Sequence, residues 1–183
     1  IKEGSIPKRK QLRDVKETEA HYKLFLKIIN ENQKITYNTI LDWHYELFKE
    51  TKSDIAGQLR SYQVIITRSR FIPPSPVEVY PELKNFFKWH EKNKDKLNPV
   101  ILAALCHLKF VTTHPFGDGN GRISRLIMNS VLNNKKYPLY IVEYTDRSGY
   151  YNALEKTQLK KNEIYFVKWF VKDYLKYIKS NKY

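Results

Sequence analysis

The residues that could do chemistry crowd into one stretch, Thr113-His114-Pro115-Phe116-Gly117-Asp118-Gly119-Asn120-Gly121-Arg122-Ile123-Ser124-Arg125. It holds an imidazole, a carboxylate, an amide, three glycines and two arginines, a mixture that makes a poor core and a rich loop. Glycines let a backbone approach a ligand closely, so that successive N–H groups converge on an anion. Arg122 and Arg125 stand three apart and share one side of whatever helix follows. The combination reads as a phosphate cradle opening a helix, with a base and a metal ligand attached.

Several better-defined motifs are excluded by letter. A Walker loop requires lysine and Ser/Thr after its glycines, and Arg122-Ile123 stand there. A calcium loop beginning at Asp118 would find Arg122 at its third ligand position and Asn129 at its bidentate glutamate. There is no His-Glu-x-x-His pair, and Cys106 is the only cysteine.

The elements around this stretch must position it. Asn98-Pro99 reads as a cap followed by proline at the first helical position, and Ile101, Ala104, Leu105, Leu108 and Val111 form a buried stripe. That core helix delivers the chain directly into His114. Beyond the loop, Ile123, Leu126, Ile127 and Val131 predict a helix closing at Asn133-Asn134. Earlier, helical spacing predicts a helix over 11–30 with Leu12, Val15, Tyr22, Phe25, Leu26 and Ile29 inward. A second, capped by Thr36, runs to about Glu50 with His44 as a core or boundary histidine. A third resumes near Glu78, and two more cover about 147–158 and 162–179. Between them Gln63-Val64-Ile65-Ile66-Thr67 is β-branched and reads as a strand of a small hairpin, followed by Pro73-Pro74-Ser75-Pro76, which forbids helix. Such a flap either packs sideways on the bundle or offers an edge to a partner strand. The expectation is an all-α bundle of about eight helices with one small β-hairpin flap.

At 183 residues the chain suits one domain, with a core over about 57–158, N-terminal helices over 11–50 and a C-terminal helix over 162–179. It begins without methionine, which suggests a piece of a longer protein. No apolar run reaches the roughly 18 residues of a membrane span. The lone cysteine, in an apolar helical pattern, reads as a buried thiol in a reducing, cytoplasmic setting. The net charge of +14 admits an anionic partner, nucleotide or nucleic acid, although most of the excess is lysine. Lys168, Lys172 and Lys176 form one helical stripe.

The pattern His-x-Phe-x-Asp-Gly-Asn-Gly-Arg-x-x-Arg, met by His114 through Arg125 at every defined position, resembles the signature of the Fic family. Gly57, Arg60, Val64, Phe71, Pro73-Pro74 and Trp89 resemble that family's flap and its approach, and Tyr150-Tyr151-Asn152-Ala153-Leu154-Glu155 its helix behind the nucleotide. The resemblance implies a Fic-type helical bundle that moves AMP from ATP to a Ser, Thr or Tyr hydroxyl of a protein, the chain itself being one candidate, and releases pyrophosphate. It implies His114 as general base and Asp118 as the Mg²⁺ ligand. Gly119, Asn120, Gly121, Arg122 and Arg125 would hold phosphates, with Arg125 meeting the far one. Tyr150, Tyr151, Leu154 and Gln158 would line the nucleotide pocket, although Gln158 stands where many members have Asn. Gln63, Val64, Ile65, Ile66 and Thr67 would dock the target's backbone. Homodimers are common among such proteins.

Some members carry an inhibitory Ser/Thr-x-x-x-Glu-Gly/Asn helix. Only its ending, Glu3-Gly4, occurs here, so the inhibitory helix is expected to be missing from this chain. Gly121, where the phosphorylating Doc branch has lysine, favours nucleotidyl transfer. Two alternatives remain at this stage: UMP or GMP transfer by the same site, because the motif reads phosphates and not the base, and a non-catalytic nucleotide or nucleic-acid binding module.

Overall fold

The computed structural model describes residues 11–143 and 146–181; the opening loop and Glu3-Gly4 lie outside the described residues. Seven α-helices occur among them: α1 Leu12–Glu31, α2 Tyr37–Phe48, α3 Pro76–Asn93, α4 Pro99–Thr113, α5 Asn120–Asn134, α6 Arg147–Lys160 and α7 Ile164–Asn181. Each boundary follows from local chemistry. The Thr36 hydroxyl accepts from the Thr39 N–H at 3.2 Å and starts α2. Ser75 and Glu78 form a reciprocal capping box at α3, with Pro76 at its first position. Asn98 accepts from the Val100 N–H at 3.0 Å and starts α4.

Helix α4 is the axis of the molecule. It packs most extensively on α5 and also against α3 and α7, while α1 covers α2 and α5. It is apolar on nearly all sides, and Leu102, Ala103, Ala104, Cys106 and Phe110 are fully buried. At roughly 1.5–3 kcal/mol per large buried side chain, this helix and the facing Ile123, Ile127 and Leu132 make the core rigid where the chain enters the motif. Cys106 is a structural thiol whose pKa burial pushes far up. No helix among the described residues is long and apolar enough to cross a membrane.

The structure corrects three expectations. There are seven helices among the described residues rather than about eight. The first helix is rotated: Leu12, Tyr22 and Leu26 are exposed, and the buried face carries Glu17, Leu24 and Ile28. An acidic residue took an inward position because α5 sets arginines opposite it. Finally, Gln63–Thr67 has no regular structure and runs into a turn closed by the Ser69 N–H on the Ile66 carbonyl at 3.0 Å; Ile65 is 84% exposed, and no strand ladder forms among the described residues. The returning limb contains Pro73 and Pro74, which have no N–H to donate. Side chains close the loop instead: Gln63 Nε2 donates to the Pro73 carbonyl at 3.1 Å, and Arg60 Nη2 to the Pro74 carbonyl at 2.5 Å.

Candidate active site

His114 is the C-cap of α4, in the left-handed region at φ 49°. Its Nδ1 lies 3.1 Å from the Val111 carbonyl, an acceptor, so the proton of the neutral ring sits on Nδ1 and the Nε2 lone pair is left free. Burial holds the imidazole below its ordinary pKa, and the bond to Val111 offsets this only in part. The ring is thus neutral at neutral pH, as a base must be.

The loop after it is locked from four directions. Phe116 is fully buried and stacks on His44 with ring centroids 3.7 Å apart. His44 accepts the Gly57 N–H on Nδ1 at 3.0 Å, so its Nε2–H donates to the Asp118 carbonyl at 3.1 Å. The Asn120 amide folds back on Phe116, accepting its N–H at 2.9 Å and donating to its carbonyl at 2.8 Å. Arg60, buried, donates from Nε to the His114 carbonyl at 2.8 Å and from its backbone to the Pro115 carbonyl at 3.0 Å. Gly119 turns the chain into α5 at φ 79°, with the Phe48 ring where a Cβ would stand.

A cavity of about 300 Å³ is lined by His114, Asp118, Gly119, Gly121, Arg122, Arg125 and Tyr151. At its floor α5 begins, and the N–H groups of Asn120 and Gly121 are of the kind a helix leaves without an intrahelical acceptor. Asp118 faces it with its side chain 43% exposed. Burial raises the Asp118 pKa, but the Lys52 ammonium, the Gly119 N–H and Arg122 outweigh that and keep it below the usual value.

The sequence-predicted residues divide. His114, Asp118, the phosphate-binding set and Tyr151 come together. Asn120 joins them by its backbone, since both ends of its side-chain amide are bound to Phe116. Tyr150 and Leu154 are buried instead of lining this cavity; the Tyr150 hydroxyl lies 2.8 Å from His107 Nε2 and against the Arg125 guanidinium. Gln158 donates to Thr112 Oγ1 at 3.1 Å and lines a neighbouring cleft of about 680 Å³ between α3, α4 and the α6–α7 junction. Gln63 to Thr67 form a loop whose return limb is fastened to α6, where Glu155 accepts the Arg70 N–H at 2.6 Å.

Residues that sequence reasoning missed surround the motif. Glu17 lies 2.6 Å from Arg122 and 3.4 Å from Lys52, and Lys52 also contacts Asp118 directly. His21 sits beside the two arginines; burial and then their positive charge lower its pKa to about 4. The available signal was their spacing with Leu24 and Ile28, at i, i+4, i+7 and i+11 on one helical face.

Comparison with known proteins shows the family. A family model described as the Fic/DOC family matches residues 34–132. The protein adenylyltransferase Fic of Nematostella vectensis is 35% identical over 130 residues, which span 70% of this chain and 30% of that protein. Protein adenylyltransferase fic-1 of Caenorhabditis elegans is 33% identical over 130 residues, covering 70% and 25% of the two chains. The crystal structure of a Fic domain containing signaling protein from Bacteroides thetaiotaomicron superposes with a TM-score of 0.81 at 28% identity, covering 91% of this chain and 70% of that one. The chain therefore spans less than a third of the length of these adenylyltransferases. With the family model matched over more than half its length and the motif folded around one cavity, the chain belongs to the Fic/DOC family.

Proposed function

We propose that this domain transfers AMP from ATP to a hydroxyl group of a protein and releases pyrophosphate. The observation that carries the reading is the orientation of His114: Nδ1 is committed to the Val111 carbonyl, which leaves Nε2 as a base at a cavity lined by two arginines and a helix N-terminus. The target hydroxyl gives its proton to His114 Nε2 while its oxygen attacks the α-phosphorus. The bond from that phosphorus to the bridging oxygen of the β-phosphate breaks, and pyrophosphate leaves. The α5 N-terminus and the guanidinium groups of Arg122 and Arg125 hold the departing charge, and Arg125 takes the far phosphate. Positioning and charge stabilisation of this kind account for most of the rate in such transfers.

Asp118 fits a magnesium ion: it faces the cavity and already draws an ammonium and a guanidinium. Mg²⁺ takes one or two carboxylates and completes its shell with phosphates and water, a coordination that one carboxylate at this position can serve. When bound, it would neutralise phosphate charge.

The Gln63–Thr67 segment, with Gln63, Ile65 and Thr67 exposed, is the place for the target, whose backbone would add alongside it; the domain itself is one candidate target. The motif selects phosphates, so the nucleobase is chosen elsewhere, with Tyr151 at the cavity wall as the candidate. Incubation with ATP labelled at the α-phosphate, Mg²⁺ and a cell extract tests the reading. Label should enter protein with wild type and vanish with His114→Ala at unchanged Tm. Undiminished labelling by His114→Ala would remove the base, and labelling only from UTP or GTP would change the donor.

A further inference from the structure

Lys52 and Glu17 lie outside the motif, yet they complete an alternating ring of charge beneath it. Asp118 Oδ2 meets Lys52 Nζ, Lys52 Nζ lies 3.4 Å from Glu17 Oε1, Glu17 Oε2 lies 2.6 Å from Arg122 Nη1, and Arg122 Nη2 lies 3.4 Å from Asp118 Oδ1. Two carboxylates and two cations cancel. The two Asp118 oxygens and the two Glu17 oxygens are nevertheless unequally served. Glu17 is 6% exposed, and its Oε1 makes no hydrogen bond among the described residues. A buried carboxylate oxygen without a close donor is costly and attracts the nearest cation. That cation is Lys52, too far at 3.4 Å for a good hydrogen bond and engaged instead with Asp118. The Phe48 ring beneath its ammonium, 5.0 Å from the centroid, does not tie it to either carboxylate. A flexible lysine stem can close the remaining gap of roughly half an ångström by small rotations.

We infer that Lys52 is an internal counter-ion for Asp118 that passes to Glu17 when a divalent cation and its nucleotide arrive, so that the Glu17–Lys52 pair sets how tightly the site takes the metal. This rests on the reading of Asp118 as a metal ligand given above. Without a second carboxylate to receive it, the ammonium would have to be driven into water or remain as a competitor on Asp118. Glu17 offers it a place within the protein, at 8% side-chain exposure, where its charge still balances Arg122. The arrangement resists the metal at rest and yields to it at little cost.

The two residues should therefore act with opposite signs. Removing the ammonium leaves Asp118 with less positive charge and favours the metal; removing the Glu17 charge leaves Lys52 on Asp118 and disfavours it. The measurement is free Mn²⁺ followed by electron paramagnetic resonance during titration of the whole chain, with and without a non-hydrolysable ATP analogue. Lys52→Met is expected to tighten Mn²⁺ by about tenfold and Glu17→Gln to weaken it by about tenfold. In the Lys52→Met background, Glu17→Gln should have less than half its own effect, because no ammonium remains to be received. Lys52→Gln replaces Lys52→Met if the latter melts early. Equal shifts of the same sign, a Lys52 variant no tighter than wild type, or two fully additive effects would overturn the handover. Wild type that binds no Mn²⁺ with the analogue, matching Asp118→Ala, would overturn the metal reading itself, and this inference with it.

Discussion

The Tyr150 hydroxyl lies 2.8 Å from His107 Nε2, and the same hydroxyl meets the Arg125 guanidinium. A tyrosine expected at the nucleotide therefore stands behind an arginine, as a post fixed in the core. His107 is fully buried, stacked on Phe166 at 5.5 Å, and held neutral with a pKa lowered by burial to about 3. Tyr150→Phe should cost about 1–2 kcal/mol of stability by leaving His107 without that partner. On the proposed function it should also raise the KM for ATP severalfold with little change in kcat, since it loosens the proposed phosphate holder Arg125 and leaves His114 intact. A fall in kcat at constant KM would contradict the post.

Arg60 binds four carbonyls, those of Tyr62, Pro74, His114 and Pro115, through its side chain and its own N–H. Arg60→Ala would orphan several of them at once and should destabilise by about 3 kcal/mol. Arg60→Lys keeps the charge without the fork and should recover less than half of that in chemical denaturation. Full recovery by lysine would mean that charge, not geometry, matters at this position.

Gly119→Ala places a Cβ 2.6 Å from Phe48 Cε2 at a backbone φ of 79°. The left-handed conformation alone costs roughly 1–2 kcal/mol, and the clash adds to it. A drop in Tm of about 6–12 °C is expected for a total near 3 kcal/mol in a chain of this size. Adding Phe48→Leu should return part of it. An unchanged Tm in the single variant would mean that the turn is not held as described.

The histidines give the pH dependence a definite sign. Burial lowers His44 and His21 to about 4, against about 6.5 in an unfolded chain. Between those values the unfolded chain binds more protons. The stability is therefore fully present above pH 6.5 and is lost as pH falls toward 4. Melting curves from pH 7.5 to 4.5 should show Tm constant at first and then falling. With His114 as the proposed base, its lowered pKa keeps it unprotonated, and the acid limb of the rate profile should lie below pH 6.5. An acid limb above that value would contradict the burial of the base.

How far all this could be read in advance depended on the kind of signal. The core helix was legible because Asn98-Pro99 and the apolar run to Val111 agree in cap, composition and period. The motif was legible because its letters are fixed by local backbone needs, and His44 because a lone histidine on an apolar stripe is most often satisfied within the core. Three things were not legible. The register of α1 depended on Arg122, more than a hundred positions away, which drew Glu17 inward against its polarity. The loop at Gln63 has strand residues, but its returning limb ends in Pro73-Pro74 and its Arg70 and Phe71 N–H groups go to side chains, Glu155 and Ser69, so no ladder forms. Tyr150 and Tyr151 are adjacent and identical in type, and only their direction on α6 sends one to the core and one to the cavity.

One arginine also makes the loop and the imidazole into a single lever. Arg60 grips Tyr62 and Pro74, the two limbs of the loop proposed to dock the target, with the same guanidinium that grips His114. A pull on either limb is shared with the His114 carbonyl, while the imidazole's other hold, on Val111, belongs to the buried core helix α4. Force applied by a chain docked on that loop would thus arrive at the imidazole already divided between a tether and an anvil.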